Sequence, residues 1–276
     1  MTRQRDASAE PFPPADGSVD RPNVRSRPGT GVWLFALALG SAAVFTRRSA
    51  PEPSFTGTDD AAVQIAELTH HVAREGAPTR VIQVDLDAHP KVSQFDDIDA
   101  SPSGYGRTAC GPIAAAVALG GHDWPALLAE ITAAAGDRYG VSTGIQPSPY
   151  AAALRRVFGR WAVRPIDRMT LGRLYYAVSS DAVVIVDIKV NDVTGLPSGE
   201  PPHYAHFARV LGIDLDEGRV YIDNTLHGPS YWTVDLETFV AAWRHPETSA
   251  SLRLDPDHAE PVDRWAVLID PIVRLR

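Results

Sequence analysis

One cysteine, Cys110, stands in a chain of 276 residues. An internal disulfide framework is therefore impossible, and so is a zinc site built on several cysteines. Blocks of basic residues are missing as well. Lys and Arg together number 26 against 34 Asp and Glu, for a net charge of −8. That balance argues against a nucleic-acid partner. No apolar run reaches the roughly 20 residues that a membrane-spanning helix needs. Apolar residues in general are not scarce: at 44% hydrophobic, the chain has enough for a sizeable core in one large domain or two small ones.

The first thirty residues (1–30) are rich in proline and charge, with Pro11, Pro13, Pro14, Pro22 and Pro28, and show neither helical nor strand periodicity. Such composition predicts disorder. An uncharged stretch from Gly31 to Phe45 follows, preceded by Arg21, Arg25 and Arg27 and closed by Arg47 and Arg48. Its length fits a signal-peptide core or a short membrane anchor over 31–46, with small residues at Gly40 to Ala43 for a cleavage site. The upstream arginines hold the N-terminus in the cytoplasm, while Arg47 and Arg48 pull the other way. The expectation is a membrane-anchored or secreted protein whose body is extracytoplasmic, a setting that suits a chain with one cysteine. Residues 47–57 read as a linker, and 58–276 as the folded domain.

Within 58–276, Thr58 is a candidate cap for a helix to about Arg74, with Ala61, Ile65, Leu68 and Val72 on one face. Arg80 to Leu86 alternates like a strand. Pro112 to Leu119 is an almost wholly apolar helix, stopped at Gly120-Gly121, and should be buried. Helices are predicted over Trp124–Ala135, Ser148–Phe158 and Leu171–Ser179. Strands dominate afterwards: Ala182–Val190, His206–Ile213, Arg219–Ile222 and Trp265–Ile269, with a short helix Leu236–Trp243 capped by Asp235. Helices come first and an antiparallel sheet follows, which predicts an α+β fold.

Cys110 precedes Gly111 and Pro112, and proline favours the first helical position. The thiol therefore sits at a helix N-terminus, where free N–H groups and the helix dipole favour a thiolate and offer half an oxyanion hole. The structural alternative is a small buried hydrophobe. A nucleophilic thiol needs a base, and there are nine histidines. His70, His71 and His122 read as surface; His89, His227, His245 and His258 lie in loops or beside proline. His206 opens an apolar strand directly after a loop, where a sheet edge can present an imidazole. His203 is its rival, and the pair also forms an HxxH spacing. On an extended strand those two residues face opposite sides, and neither a metal nor a cofactor is expected. Asp223 closes the strand paired with that of His206 and can orient the imidazole; Asn224 can serve instead. Gln94, in the loop before Cys110, can complete the oxyanion hole or be an ordinary polar loop residue.

Three blocks resemble the papain-like cysteine peptidases, and most nearly their bacteriocin-processing (double-glycine) peptidase-like group. They are Thr108-Ala-Cys-Gly-Pro-Ile-Ala-Ala-Ala116, His206-Phe-Ala-Arg-Val-Leu-Gly-Ile-Asp214 and Arg219-Val-Tyr-Ile-Asp-Asn-Thr225. A Ser-Pro-started helix, an apolar strand and the segment Asp235 to Trp243 keep the same order, so the resemblance covers roughly Val92 to Trp243. It implies a papain-like α+β fold with helices packed on a mostly antiparallel sheet, Cys110 as nucleophile, His206 as general base, Asp223 as orienter and Gln94 as oxyanion residue. The gap from Gln94 to Cys110 is long for the family. No transporter segment accompanies the domain, so cleavage of exported leaders at a double glycine is not inherited. The function expected is cleavage of an amide bond in a peptide or protein through an acyl-enzyme. The alternatives are an acyl transferase of transglutaminase-like type and a catalytically inactive, surface-anchored binding or scaffold module on the same fold.

Overall fold

The computed structural model describes residues 54–93, 97, 109–136, 145–189, 205–226, 229–244 and 263–270. All belong to one compact unit, Ala50–Arg276. The apolar stretch 31–46, Gln94 and His203 lie outside the described residues. Among the described residues no helix is long and apolar enough to cross a membrane.

Helix α1 (Ala61–Glu75) is capped by Asp60, whose carboxylate accepts from the N–H groups of Ala62 and Val63. Thr58, the expected cap, instead accepts from the N–H of Asp60 through its hydroxyl. Strand β1 (Arg80–Ile82) is followed by α2 (Cys110–Gly120), a 3-10 turn, α3 (Trp124–Ala135) and α4 (Pro147–Phe158). Next come β2 (Val163–Ile166), α5 (Leu171–Ser179), β3 (Val183–Lys189), β4 (Ala205–Asp214), β5 (Arg219–Asp223) and β6 (Tyr231–Asp235). Helix α6 (Leu236–Trp243) and β7 (Ala266–Ile269) complete the order.

The seven strands form one sheet in the order β2-β7-β3-β4-β5-β6, with β1 added to β4, and every pairing is antiparallel. The fold is α+β, as the segregation of helices and strands predicts. Side chains alternate between the two sheet faces, and each face has its own core. One core joins Val184, Val186, Ile188, Ala208, Val210 and Ile222 to α1, α5 and α6. The other joins Val183, Ile185, Phe207, Val267 and Ile269 to α2, α3 and α4. Helices thus cover both faces, rather than forming one N-terminal layer.

Three elements depart from expectation for identifiable reasons. β1 stops at Ile82 instead of Leu86 because it shares an edge of β4 with β3. β1 pairs with β4 at Gly212–Asp214, and β3 takes that edge from Val210 downward. The Gln83 side chain then turns away and donates to the carbonyls of Val178 and Ala182 at 2.9 and 2.7 Å. β2 was hidden by Pro165, which a sheet tolerates at its edge, and β2 is an end strand of the order. β6 is the opposite end strand and mostly unburied, so its pattern carries little apolar signal. At the N-terminal side, Phe55 lies in the segment read as linker, yet it packs against the α1–α5 core.

Candidate active site

The head of α2 is fixed by packing. Ala109, Ile113, Ala114, Ala115 and Ala116 are fully or nearly fully buried between the sheet and α3. The Tyr150 hydroxyl donates to the Gly111 carbonyl at 2.5 Å, and the Tyr150 ring meets Phe207 at 4.9 Å between centroids. A Cβ on Gly111 would come within 2.9 Å of the Phe207 ring, which is wedged between Tyr150 and Trp265. Glycine at that position lets the helix head approach β4 closely.

β4 outruns β5 at this point. Val210 pairs with Ile222, and β5 ends one residue later at Asp223. Phe207 pairs with Asp187 of β3, and the N–H of Asp187 donates the other way, to Trp265. In an antiparallel ladder the backbone groups of Phe207 must therefore point away from β3, into the space past the end of β5. The Cys110 sulfur faces that space, where the Phe207 N–H favours its thiolate. The helix head and the first turn of the expected strand meet there, one residue after His206.

The electrostatics differ from those of a simple helix mouth. N–H groups of Phe207, Gly111 and Cys110 itself all favour the thiolate, as a helix N-terminus should. Desolvation outweighs them, and the buried Asp187 carboxylate adds to it, so the Cys110 thiol is pushed up to about 11. The expectation of a lowered thiol pKa is corrected accordingly: the residue is half-buried, but its sulfur faces protein rather than water. Asp187 escaped notice in the sequence because it lies within an otherwise apolar strand; one acid in such a run was the available signal.

His206 is 1% exposed and pairs across the ladder with Ile188, on the sheet face of α1, α5 and α6. Its ring packs on Trp232, 6.0 Å between centroids, and neither ring nitrogen has a hydrogen-bond partner among the described residues. Burial alone pushes its pKa down to about 3. Sulfur and imidazole therefore lie against successive residues of β4 but on opposite faces of the sheet, and no hydrogen bond joins them. Asp223 makes no hydrogen bond to His206 either. Its Oδ1 accepts from Nε2 of His89 at 3.0 Å, and both side chains are buried. Ile222 belongs to the α1-side core, so Asp223 faces the α2 side. Asn224, the other candidate orienter, donates to the Pro229 carbonyl and accepts from the Leu226 N–H. His89 read as a loop residue in the sequence; no local pattern announces a partner 134 positions away. Among the described residues no cluster of His, Cys, Asp and Glu is arranged to hold a metal ion.

No family model matches the chain. No curated protein matches it either. Among solved structures it is similar to a protein from Bacillus anthracis described as a C39-like peptidase. That similarity has a TM-score of 0.44 and 14% identity, over 69% of this chain and 96% of the other. At that level it assigns neither a family nor an activity, and the chemistry rests on the residues themselves.

Proposed function

We propose that the chain is a cysteine hydrolase that cleaves an amide bond of a peptide or protein substrate. The observation that carries this reading is the thiol of Cys110 at the head of α2, packed beside β4, where the N–H of the residue after His206 favours its thiolate. The order of the Cys110, His206 and Asp223 blocks along the chain supports it, as does their resemblance to papain-like peptidases.

In the proposed reaction the imidazole of His206 takes the thiol proton as the sulfur attacks the substrate carbonyl. The carbonyl oxygen becomes an oxyanion, which the N–H of Cys110 and the Gln94 amide bind. Collapse of the tetrahedral intermediate breaks the C–N bond, and His206 returns the proton to the leaving amine. Water, deprotonated by the same imidazole, then hydrolyses the thioester and restores the thiol. The reaction requires the start of β4 to rearrange, because the His206 ring lies on the α1 side of the sheet and the sulfur on the α2 side. Bringing the two groups together raises one pKa and lowers the other, because each charged form stabilises its partner. With the ring against Trp232 the centre is unarmed.

A second reading is favoured by that same unarmed state. A thiol near 11 and an imidazole near 3 suit a non-catalytic binding module on the same architecture. Either reading is proposed for an extracytoplasmic body tethered or exported through 31–46, and recovery of the intact N-terminus in soluble cytoplasm would refute that setting. A peptidyl vinyl sulfone at pH 7.5 separates the two chemistries. Hydrolase function gives a covalent adduct on Cys110 that is lost in Cys110→Ala and falls at least about a hundredfold in rate in His206→Ala. Folded protein that forms no adduct is the binding module.

A further inference from the structure

We propose that His89 is a positioning residue of the Cys110 centre, acting through Asp223. This rests on Cys110 being the nucleophile, and it adds a member that no sequence block supplies.

Three placements carry it. The sulfur lies past the end of β5, against the N–H of Phe207. Asp223 is the last residue of β5 and faces the α2 side of the sheet, the side on which Phe207 and Asp187 also lie. Strand spacing and rise put its Cα roughly 8 Å from that of Phe207. The carboxylate therefore stands at the strand end where the sulfur is received. His89 reaches the same carboxylate from the loop after β1. Three residues later Val92 enters the α2-side core, in which Ala109 is buried and against which Cys110 packs. The contact with Asp223 and the course of the chain at Val92 both place His89 on the sulfur's side of the sheet.

A carboxylate as enclosed as Asp223 needs a donor to hold its charge and its direction. Nε2 of His89 supplies it, on Oδ1. Held in direction by His89, Asp223 can orient the His206 imidazole once a rearrangement at the start of β4 brings that ring to the α2 side. Without His89 the carboxylate is free to rotate.

The test is a double-mutant cycle read by the second-order rate of Cys110 alkylation with iodoacetamide at pH 7.5. It compares the full chain with His89→Ala, Asp223→Asn and the double variant, each shown to be folded by its thermal melt. His89→Ala is expected to label about tenfold more slowly, within the range over which contacting residues couple. His89→Gln keeps an N–H donor and is expected within about threefold of the parent. The double variant should be no slower than Asp223→Asn alone. Should His89→Ala not fold, His89→Asn takes its place, since its shorter amide withdraws the donor. The proposal is overturned if His89→Ala labels like the parent, or if its penalty persists in full in the Asp223→Asn background. Parent protein that does not label at this pH overturns the hydrolase reading and this inference together, whereas labelling with an additive cycle overturns the inference alone.

Discussion

At Cys110, three backbone N–H groups compete with desolvation and a carboxylate, and the second pair wins. Asp187 is the adjustable part of that balance. Replacing it with Asn removes the negative charge that disfavours the thiolate, so the Cys110 pKa must fall from about 11. Alkylation of Asp187→Asn is expected to reach its half-maximal rate at a lower pH than in the parent; an unchanged or higher midpoint would remove Asp187 from the site. How much of this was legible in the chain depends on sequence distance. Cys110 announced itself because Gly111 and Pro112 dictate a helix start within two residues. His206 did so because a loop gives way there to an apolar strand. Asp223 was legible as a strand end, but its partner was not. The bulge of β4 between Val210 and Gly212 sets the register of β5, and no local pattern encodes it. His89 and Asp187 acquire meaning only through contacts made by the folded sheet.

Elements position the site more strictly than individual polar groups do. α2 has no solvent-facing stripe, which is why it was legible as a buried helix, and its head is seated by the absence of a side chain at Gly111. Gly111→Ala would press a methyl against Phe207, whose ring has Tyr150 on one side and Trp265 on the other. Overpacking of this kind costs about 1–3 kcal/mol. The strain should be relieved by lifting the helix head from β4, so urea denaturation should show that loss together with weaker labelling of Cys110. A variant as stable as the parent would mean that the head is not tightly seated. β4 has the same requirement at its other end. A Cβ on Gly212 would lie 2.7 Å from the Val81 carbonyl oxygen, so the close approach of β1 depends on that glycine. The edge strands β2 and β6 were the elements the sequence concealed, because a strand with one exposed face and a proline, or with little burial, lacks the apolar run that marks a central strand.

Across the whole molecule, the buried imidazole links stability to acid. His206 is held near 3, while in the unfolded chain it titrates near 6.5. Below 6.5 the unfolded state gains a proton that the folded state refuses, so stability falls as pH drops through the interval between the two values. At pH 4 the expected loss is about 3 kcal/mol relative to pH 7. Urea midpoints at the two pH values measure it, and in His206→Gln the difference should shrink by a similar amount. An equal acid loss in both proteins would mean that the ring is already hydrated or paired in the native state. The same burial gives the architecture its chemical character: a sheet covered on both faces encloses the His206 imidazole on one side and the Cys110 thiol of α2 on the other.

The most direct measurement is the rate of Cys110 alkylation by iodoacetamide from pH 5 to 12, in the parent and in His206→Ala. If His206 serves the sulfur, the parent shows a labelling limb near neutrality from molecules in which β4 has brought the two groups together. His206→Ala then loses that limb and rises about tenfold per pH unit toward 11. Superimposable curves, both climbing only toward 11, would contradict the pairing of Cys110 with His206 and leave the domain without its proposed catalytic centre.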